Sequence, residues 1–167
     1  MDLIVNVTEN WGIGLGNRLL VSIPEDLKRF RSLTLGKTVV LGRKTLETFP
    51  GGRPLKGRTN YVLSAQPGLK IEGAEVFADE EVLLRALALL PRDEICVIGG
   101  ESVYRLLLPY CDRALVTRTE QVLPADRFFP DLDALPEWRQ ETLGELRTEN
   151  GIPFRYIDYV NQNPREL

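Results

Sequence analysis

There is no histidine in this chain of 167 residues. That absence removes imidazole bases, Ser-His-Asp and Cys-His nucleophile systems, and histidine-based zinc sites. Acid–base chemistry is left to carboxylates, water or a substrate, and no metal site is expected. Cysteine is scarce: Cys96 and Cys111 lie far apart in apolar stretches and read as reduced core residues rather than a disulfide. Neither charge sign dominates, with 21 Lys and Arg against 24 Asp and Glu for a net charge of −3. The basic residues are scattered, which excludes a nucleic-acid or membrane-surface footprint. Long apolar runs are also missing. The first, Leu3 to Val7, is too short and interrupted for a signal peptide or a span, so a cytoplasmic protein is expected. With no repeat or linker, residues 1–167 read as one domain with a frayed polar tail over 161–167.

What is present is organised around Leu19 to Phe30. Pro24 suits the first position of a helix, and Glu25 and Asp26 suit its positive end. Steps of three and four then put Ile23, Asp26, Leu27 and Phe30 on one face, with Glu25, Lys28 and Arg29 elsewhere. One carboxylate therefore falls among aliphatic and aromatic neighbours, an expensive place for a charge. Two readings stand: Asp26 meets a ligand that donates to it or exchanges a proton with it, or it is a surface acid of the first helical turn.

Along the chain, Leu3 to Val7 reads as a buried strand. Gly12-Ile13-Gly14-Leu15-Gly16 is not a dinucleotide fingerprint, because no helix begins at its last glycine, and it reads as a mobile flap. Further strands are expected at Lys37 to Leu41, Thr59 to Ser64, Ala74 to Phe77, Glu94 to Ile98 and Ala114 to Thr119. Helices are expected after Gly42, from Asp79 to about Leu90, and from Ser102 to Leu108, with loops at 49–57 and 123–135. Two last strands, Trp138 to Leu146 and Pro153 to Val160, are joined through Glu149-Asn150-Gly151, where Asn-Gly signals a hairpin. The class is α/β: a three-layer sandwich around a mainly parallel sheet with an antiparallel C-terminal edge.

Two strand-to-helix turns, Gly42-Arg43-Lys44-Thr45 and Gly99-Gly100-Glu101-Ser102, place unpaired N–H groups where phosphate can be held. Ligands of open α/β sheets collect beyond the carboxyl ends of the strands, where both turns belong. Arg43 and Lys44 add positive charge, which suits NADPH better than NADH. The plainer reading of each turn is glycine punctuation. Arg58, entering a strand, offers a fork for a substrate carboxylate or is a solvated edge residue, and Thr117 faces inward or serves only its strand.

Six stretches in order, Asn10-Trp11-Gly12-Ile13-Gly14, Ile23 to Phe30, Val40 to Thr45, Gly52 to Asn60, Val97 to Tyr104 and Asp126 to Pro130, resemble the dihydrofolate reductase family over nearly the whole chain. The resemblance implies hydride transfer from NADPH to the pterin ring of 7,8-dihydrofolate, giving tetrahydrofolate for one-carbon metabolism, in a protein that antifolates inhibit. By the same resemblance Asp26 is the catalytic acid, holding the pterin edge and favouring protonation of its imine nitrogen, and Thr117 steadies that edge through water. Ile4, Val5, Leu27, Phe30, Phe49, Leu55 and Ile98 line the ring slot, and Arg58 takes the glutamate α-carboxylate. Asn6, Ile13, Asn17 and Leu19 meet the nicotinamide side. Gly42, Arg43, Lys44, Thr45, Leu63, Ser64, Gly99, Gly100, Ser102, Val103 and Tyr104 hold the rest of the cofactor. A monomer is expected.

Such a reaction needs no enzyme nucleophile or metal, which accounts for the missing histidines. The chain departs from the common pattern at Leu20-Val21, where many relatives carry Pro-Trp, at Asn6, where many carry a small residue, and at Ala65, where many carry a hydroxyl. Two other readings compete. A riboflavin-pathway pyrimidine reductase of similar fold has no use for Asp26 and Arg58, and a noncatalytic NADPH sensor needs no acid on the apolar helix face.

Overall fold

Strands buried on both sides belong in the middle of a sheet, and three runs of this chain qualify. A computed structural model describes residues 1–167 and places β1 (Asp2–Thr8), β4 (Thr38–Gly42) and β7 (Ile95–Gly99) there, nearly every residue out of solvent. In chain order the other elements are β2 (Gly12–Leu15), β3 (Arg18–Leu19), α1 (Pro24–Thr34), α2 (Arg43–Glu47), β5 (Thr59–Leu63), β6 (Glu75–Phe77), α3 (Glu80–Ala88), α4 (Glu101–Leu107), β8 (Arg113–Thr119), β9 (Arg127–Phe128), β10 (Trp138–Leu143), β11 (Arg147–Glu149) and β12 (Ile152–Asn161). The main sheet runs β10-β12-β8-β1-β7-β4-β5-β6, with β11 paired to β12. From β8 to β6 its neighbours are parallel, and β10, β11 and β12 form the antiparallel edge.

Alternation along the central strands makes two cores. Val40, Ile95 and Val97 turn to one face, where Leu83 and Leu87 of α3 and Val103 and Leu107 of α4 cover them. Val39, Leu41, Cys96 and Ile98 turn to the other, with Leu46 of α2 and the edge of Phe30 of α1. Three layers result, as expected. Cys96 and Cys111 are buried and unpaired.

Local chemistry fixes the ends of these elements. Pro24 stands at the start of α1, and the Asp79 carboxylate caps α3 by accepting from the N–H groups of Glu81 and Val82 at 2.7 and 3.1 Å. Asn150 and Gly151 both take positive φ, 52° and 76°, which closes the β11–β12 hairpin at the place the Asn-Gly pair marks.

Two expectations are corrected, and the expected flap is given a structure: Gly12 to Leu15 form β2, which pairs with β3 and with β9 in a small antiparallel sheet. Gly16 and Asn17, at φ 59° each, make its turn, a two-residue hairpin signal hidden by the density of glycines. The strand expected over Trp138 to Leu146 stops at Leu143, because Gly144 closes against β12, where a Cβ would lie 2.7 Å from the carbonyl oxygen of Tyr156. The tail from Asn161 is not frayed. The Asn161 amide donates to the Cys111 carbonyl at 3.0 Å, the Arg165 N–H donates to Pro109 at 2.9 Å, and Leu167 packs on the core.

Candidate active site

The chain leaves β1 to one side of the sheet, through α1 to β4, and leaves β7 to the other, through α4 to β8. The carboxyl ends of β1 and β7 are therefore the switch point at which an open α/β sheet holds ligand. The strands part there. Seven residues of β1 pair with β8, but only Asp2 and Leu3 pair with β7. Past Leu3 the gap is bridged by Tyr104, whose buried hydroxyl lies 2.7 Å from the Ile4 carbonyl and 3.0 Å from that of Ile98 and shares its one proton between them. Burial, then the nearby Asp26 charge, drives the Tyr104 phenol far up, so it remains a neutral donor.

Above this gap opens a cavity of about 680 Å³, a size typical of small-molecule sites. Val5 and Asn6 of β1, Ile98 of β7 and Tyr104 form its base, and Ile13, Asn17 and Leu19 enter from the β2–β3 hairpin. Gly42, Arg43, Lys44 and Thr45 bound it on one side, Gly99, Gly100 and Ser102 on another, and Leu63 and Ser64 at the end of β5 on a third. Neither Gly42 nor Gly100, the residues that cap α2 and α4, is joined by a side-chain cap, so first-turn N–H groups stay free for a ligand. The two turns meet closely, since a Cβ on Gly100 would lie 3.0 Å from the Thr45 hydroxyl. Arg43 is half-exposed and bonded to Glu47 at 2.7 Å. Val103 is buried behind Gly42 and does not reach the cavity.

The acid of α1 stands beside this cavity. Thr117 of β8 donates to one carboxylate oxygen of Asp26 at 2.6 Å, and the Asn6 amide donates to the other at 3.1 Å. No cation lies within ion-pair distance, because Arg29 is drawn to Asp158 at 3.7 Å and stacks on the Tyr156 ring at 4.0 Å. Burial raises the Asp26 carboxyl above the ordinary range, and the Thr117 and Asn6 bonds and Arg29 only partly oppose it. The surface-acid reading of Asp26 does not match this environment.

The expected apolar residues are placed unevenly. Ile4, Phe30, Phe49 and Leu55 are partly buried against the core that holds Ile98. Leu27, placed with them by helical spacing, is 54% exposed. Arg58 folds back on the Lys56 carbonyl at 2.7 Å and reaches Thr34 at 3.2 Å. Partial burial and neighbouring Arg31 lower its pKa, and neither arginine has an acidic partner. Sequence reasoning missed Gly14, Arg18, Thr48, Gln66, Glu101 and Arg127 on the cavity wall. Glu101 reads as an ordinary first-turn acid, yet its carboxylate accepts the Phe128 N–H at 2.6 Å and ties the small sheet to α4.

Comparison with known proteins agrees with this geometry. The family model described as dihydrofolate reductase matches residues 1–161. A dihydrofolate reductase of Neisseria gonorrhoeae is 35% identical over 163 residues, covering 97% of this chain and 98% of its own. That of Mycobacterium leprae is 49% identical over 141 residues, 82% of this chain and 83% of its own. Among solved structures, dihydrofolate reductase from Enterococcus faecalis, complexed with NADP(H) and RAB-propyl, superposes with a TM-score of 0.80 at 31% identity, covering 96% of this chain and 95% of that one.

Proposed function

We propose, because the chain belongs to the dihydrofolate reductase family, that it reduces 7,8-dihydrofolate to 5,6,7,8-tetrahydrofolate and that Asp26 orients the pterin and promotes protonation of its imine nitrogen. The chain is an NADPH-dependent oxidoreductase. One observation carries the role of Asp26: a carboxylate without a cationic partner, partly buried and one hydrogen bond from the cavity wall.

The residues present fit the cofactor. The uncapped starts of α2 and α4 and the side-chain-free approach of Gly100 to Thr45 suit phosphate oxygens, and Arg43 and Lys44 suit a further phosphate on the ribose. When bound, NADPH supplies the hydride. The protein's part is to hold two flat rings face to face over the β1–β7 gap and exclude water. Asp26 accepts hydrogen bonds from the amino and ring N–H groups of the pterin, and its negative charge favours a proton on the imine nitrogen beside the carbon that is reduced. Ile4, Val5, Phe30, Phe49, Leu55 and Ile98 supply apolar contact. Arg58, with Arg31 beside it and no acid to neutralise it, takes the glutamate α-carboxylate. The ring-edge site also admits antifolates.

Purified protein is expected to oxidise NADPH, followed by absorbance, only when dihydrofolate is added. Cofactor binding without that turnover, or turnover only with a ribosylated pyrimidine, overturns the reading. In Arg43→Ala, NADPH binding is expected to weaken about ten- to a hundredfold, the loss of one charge-assisted contact to phosphate, with NADH binding changed little. Fluorescence titration with both cofactors checks this, and equal weakening means that Arg43 does not meet the ribose phosphate.

A further inference from the structure

Asn6 interrupts the apolar run of β1 with an amide, and both ends of that amide are engaged. Its nitrogen donates to Asp26 at 3.1 Å, and its oxygen lies 3.4 Å from the hydroxyl of Thr119, which is fully buried. The parallel pairing sets Asn6 opposite Thr117 on β8, and the antiparallel pairing sets Tyr156 of β12 opposite Thr117. Successive partners across a sheet share a face, so Asn6, Thr117 and Tyr156 line the same side, beneath α1. Asp26 thus meets the sheet through two donors from neighbouring strands, one per oxygen.

We propose that Asn6 is a positioning residue for Asp26: its amide pins one carboxylate oxygen, fixes the plane of the group toward the ring slot, and favours the ionised acid before substrate arrives. The inference rests on the function proposed above. A carboxylate has about four acceptor positions, so two protein donors leave two for a ligand that donates in pairs. Without the Asn6 bond the carboxylate is held by Thr117 alone and turns about that single contact. The charged groups facing Asp26 do not replace what Asn6 supplies. On α1, Glu25 opposes ionisation, and Arg29 favours it while engaged with Asp158 and Tyr156. On α4 and β12, Tyr104 and Tyr156 are themselves pushed toward their neutral forms. Asn6 also lines the cofactor cavity, so the same side chain stands between the two ligands.

The test is a carbon-13 NMR titration of the Asp26 carboxyl in the free protein, assigned by its absence in Asp26→Asn, for wild type, Asn6→Ala and Asn6→Asp. Loss of one hydrogen bond to a charged oxygen is expected to lower the ratio of ionised to protonated Asp26 at fixed pH about tenfold in Asn6→Ala. Asn6→Asp, which sets a second carboxylate there, is expected to lower it further. The pH profile of hydride transfer is expected to move the same way. An ordered series of this kind does not come from a purely structural role. Unmoved carboxyl titration in both variants overturns the inference even if wild type turns over dihydrofolate. Absence of turnover in wild type overturns the functional reading instead, whatever the titration shows. Should Asn6→Asp fail to fold, Asn6→Ala decides alone.

Discussion

Asp26→Asn is expected to lose hydride-transfer rate by roughly a hundred- to a thousandfold near neutral pH, the scale of one positioned proton-transfer group. The amide keeps the shape of the carboxylate and can still face Thr117 and Asn6, but it carries no charge to draw a proton onto the imine nitrogen. Cofactor affinity should change little, since the phosphate-holding turns lie on α2 and α4. As pH falls and solution protonates the substrate first, part of the rate should return. Single-turnover kinetics across pH, with NADPH binding measured in parallel, checks both halves. A profile parallel to wild type would remove Asp26 from the chemistry.

The same variant makes a prediction about stability, with a defined sign. The folded-state carboxyl is raised, chiefly by burial, so the native state binds this proton more tightly than the unfolded chain does. Below the ordinary carboxylate range both states are protonated and the group has no cost. The cost sets in as pH rises through that range and is complete once folded Asp26 is ionised. Asp26→Asn should therefore be the more stable protein at neutral pH and lose that advantage in acid. Gain of stability with loss of rate is the pattern of a group kept for chemistry.

Phe129→Ala is expected to cost about 3–5 kcal/mol, the range for deleting a buried phenyl ring. Phe129 is 2% exposed. Its ring lies 6.1 Å from Trp11 in a stacked arrangement and 5.0 Å, edge to face, from Tyr104. Its N–H also donates to the Trp11 carbonyl at 2.8 Å. The side chain therefore joins the small antiparallel sheet to the residue that bridges β1 and β7. Urea unfolding should show a lower midpoint with an unchanged slope, and Phe129→Leu should recover most of the loss. A cost below about 1 kcal/mol would mean that the two sheets are not coupled through this ring.

Which features were legible from the residues follows from the range of the forces that make them. The central strands were readable because burial on both faces demands unbroken apolar runs, as in Val39-Val40-Leu41 and Ile95 to Ile98. Caps and turns such as Asp79 and Asn150-Gly151 were readable because their chemistry is local. The pairing of β2 with β9 was not, since Arg127–Phe128 lies more than a hundred residues on and the glycines leave no alternation to see. The anchoring of the tail depends on carbonyls of Pro109 and Cys111, which no local pattern announces. In the site, helical spacing put Asp26, Leu27 and Phe30 on one face of α1, but only the fold shows that Asp26 meets the sheet while Leu27 is left 54% exposed. The cavity-lining glycines, Arg43 and Lys44 came from strand–glycine–helix punctuation, and the direct bonds of Thr117 and Asn6 to Asp26 emerged only when β1, β8 and α1 were brought together.

The placement of β1 also governs how the molecule is made. Its neighbours are separated from it by more than half of the chain: Asp2 lies across from Cys96 on one edge and from Arg113 on the other. During synthesis the first strand must wait, both hydrogen-bonding edges bare, until well over half of the polypeptide has left the ribosome. Loop closure on that scale is slow, and an apolar strand exposed meanwhile invites chaperones or aggregation. A nascent chain stalled after α3 is therefore expected to stay unfolded, with release of β8 as the step that lets the sheet close.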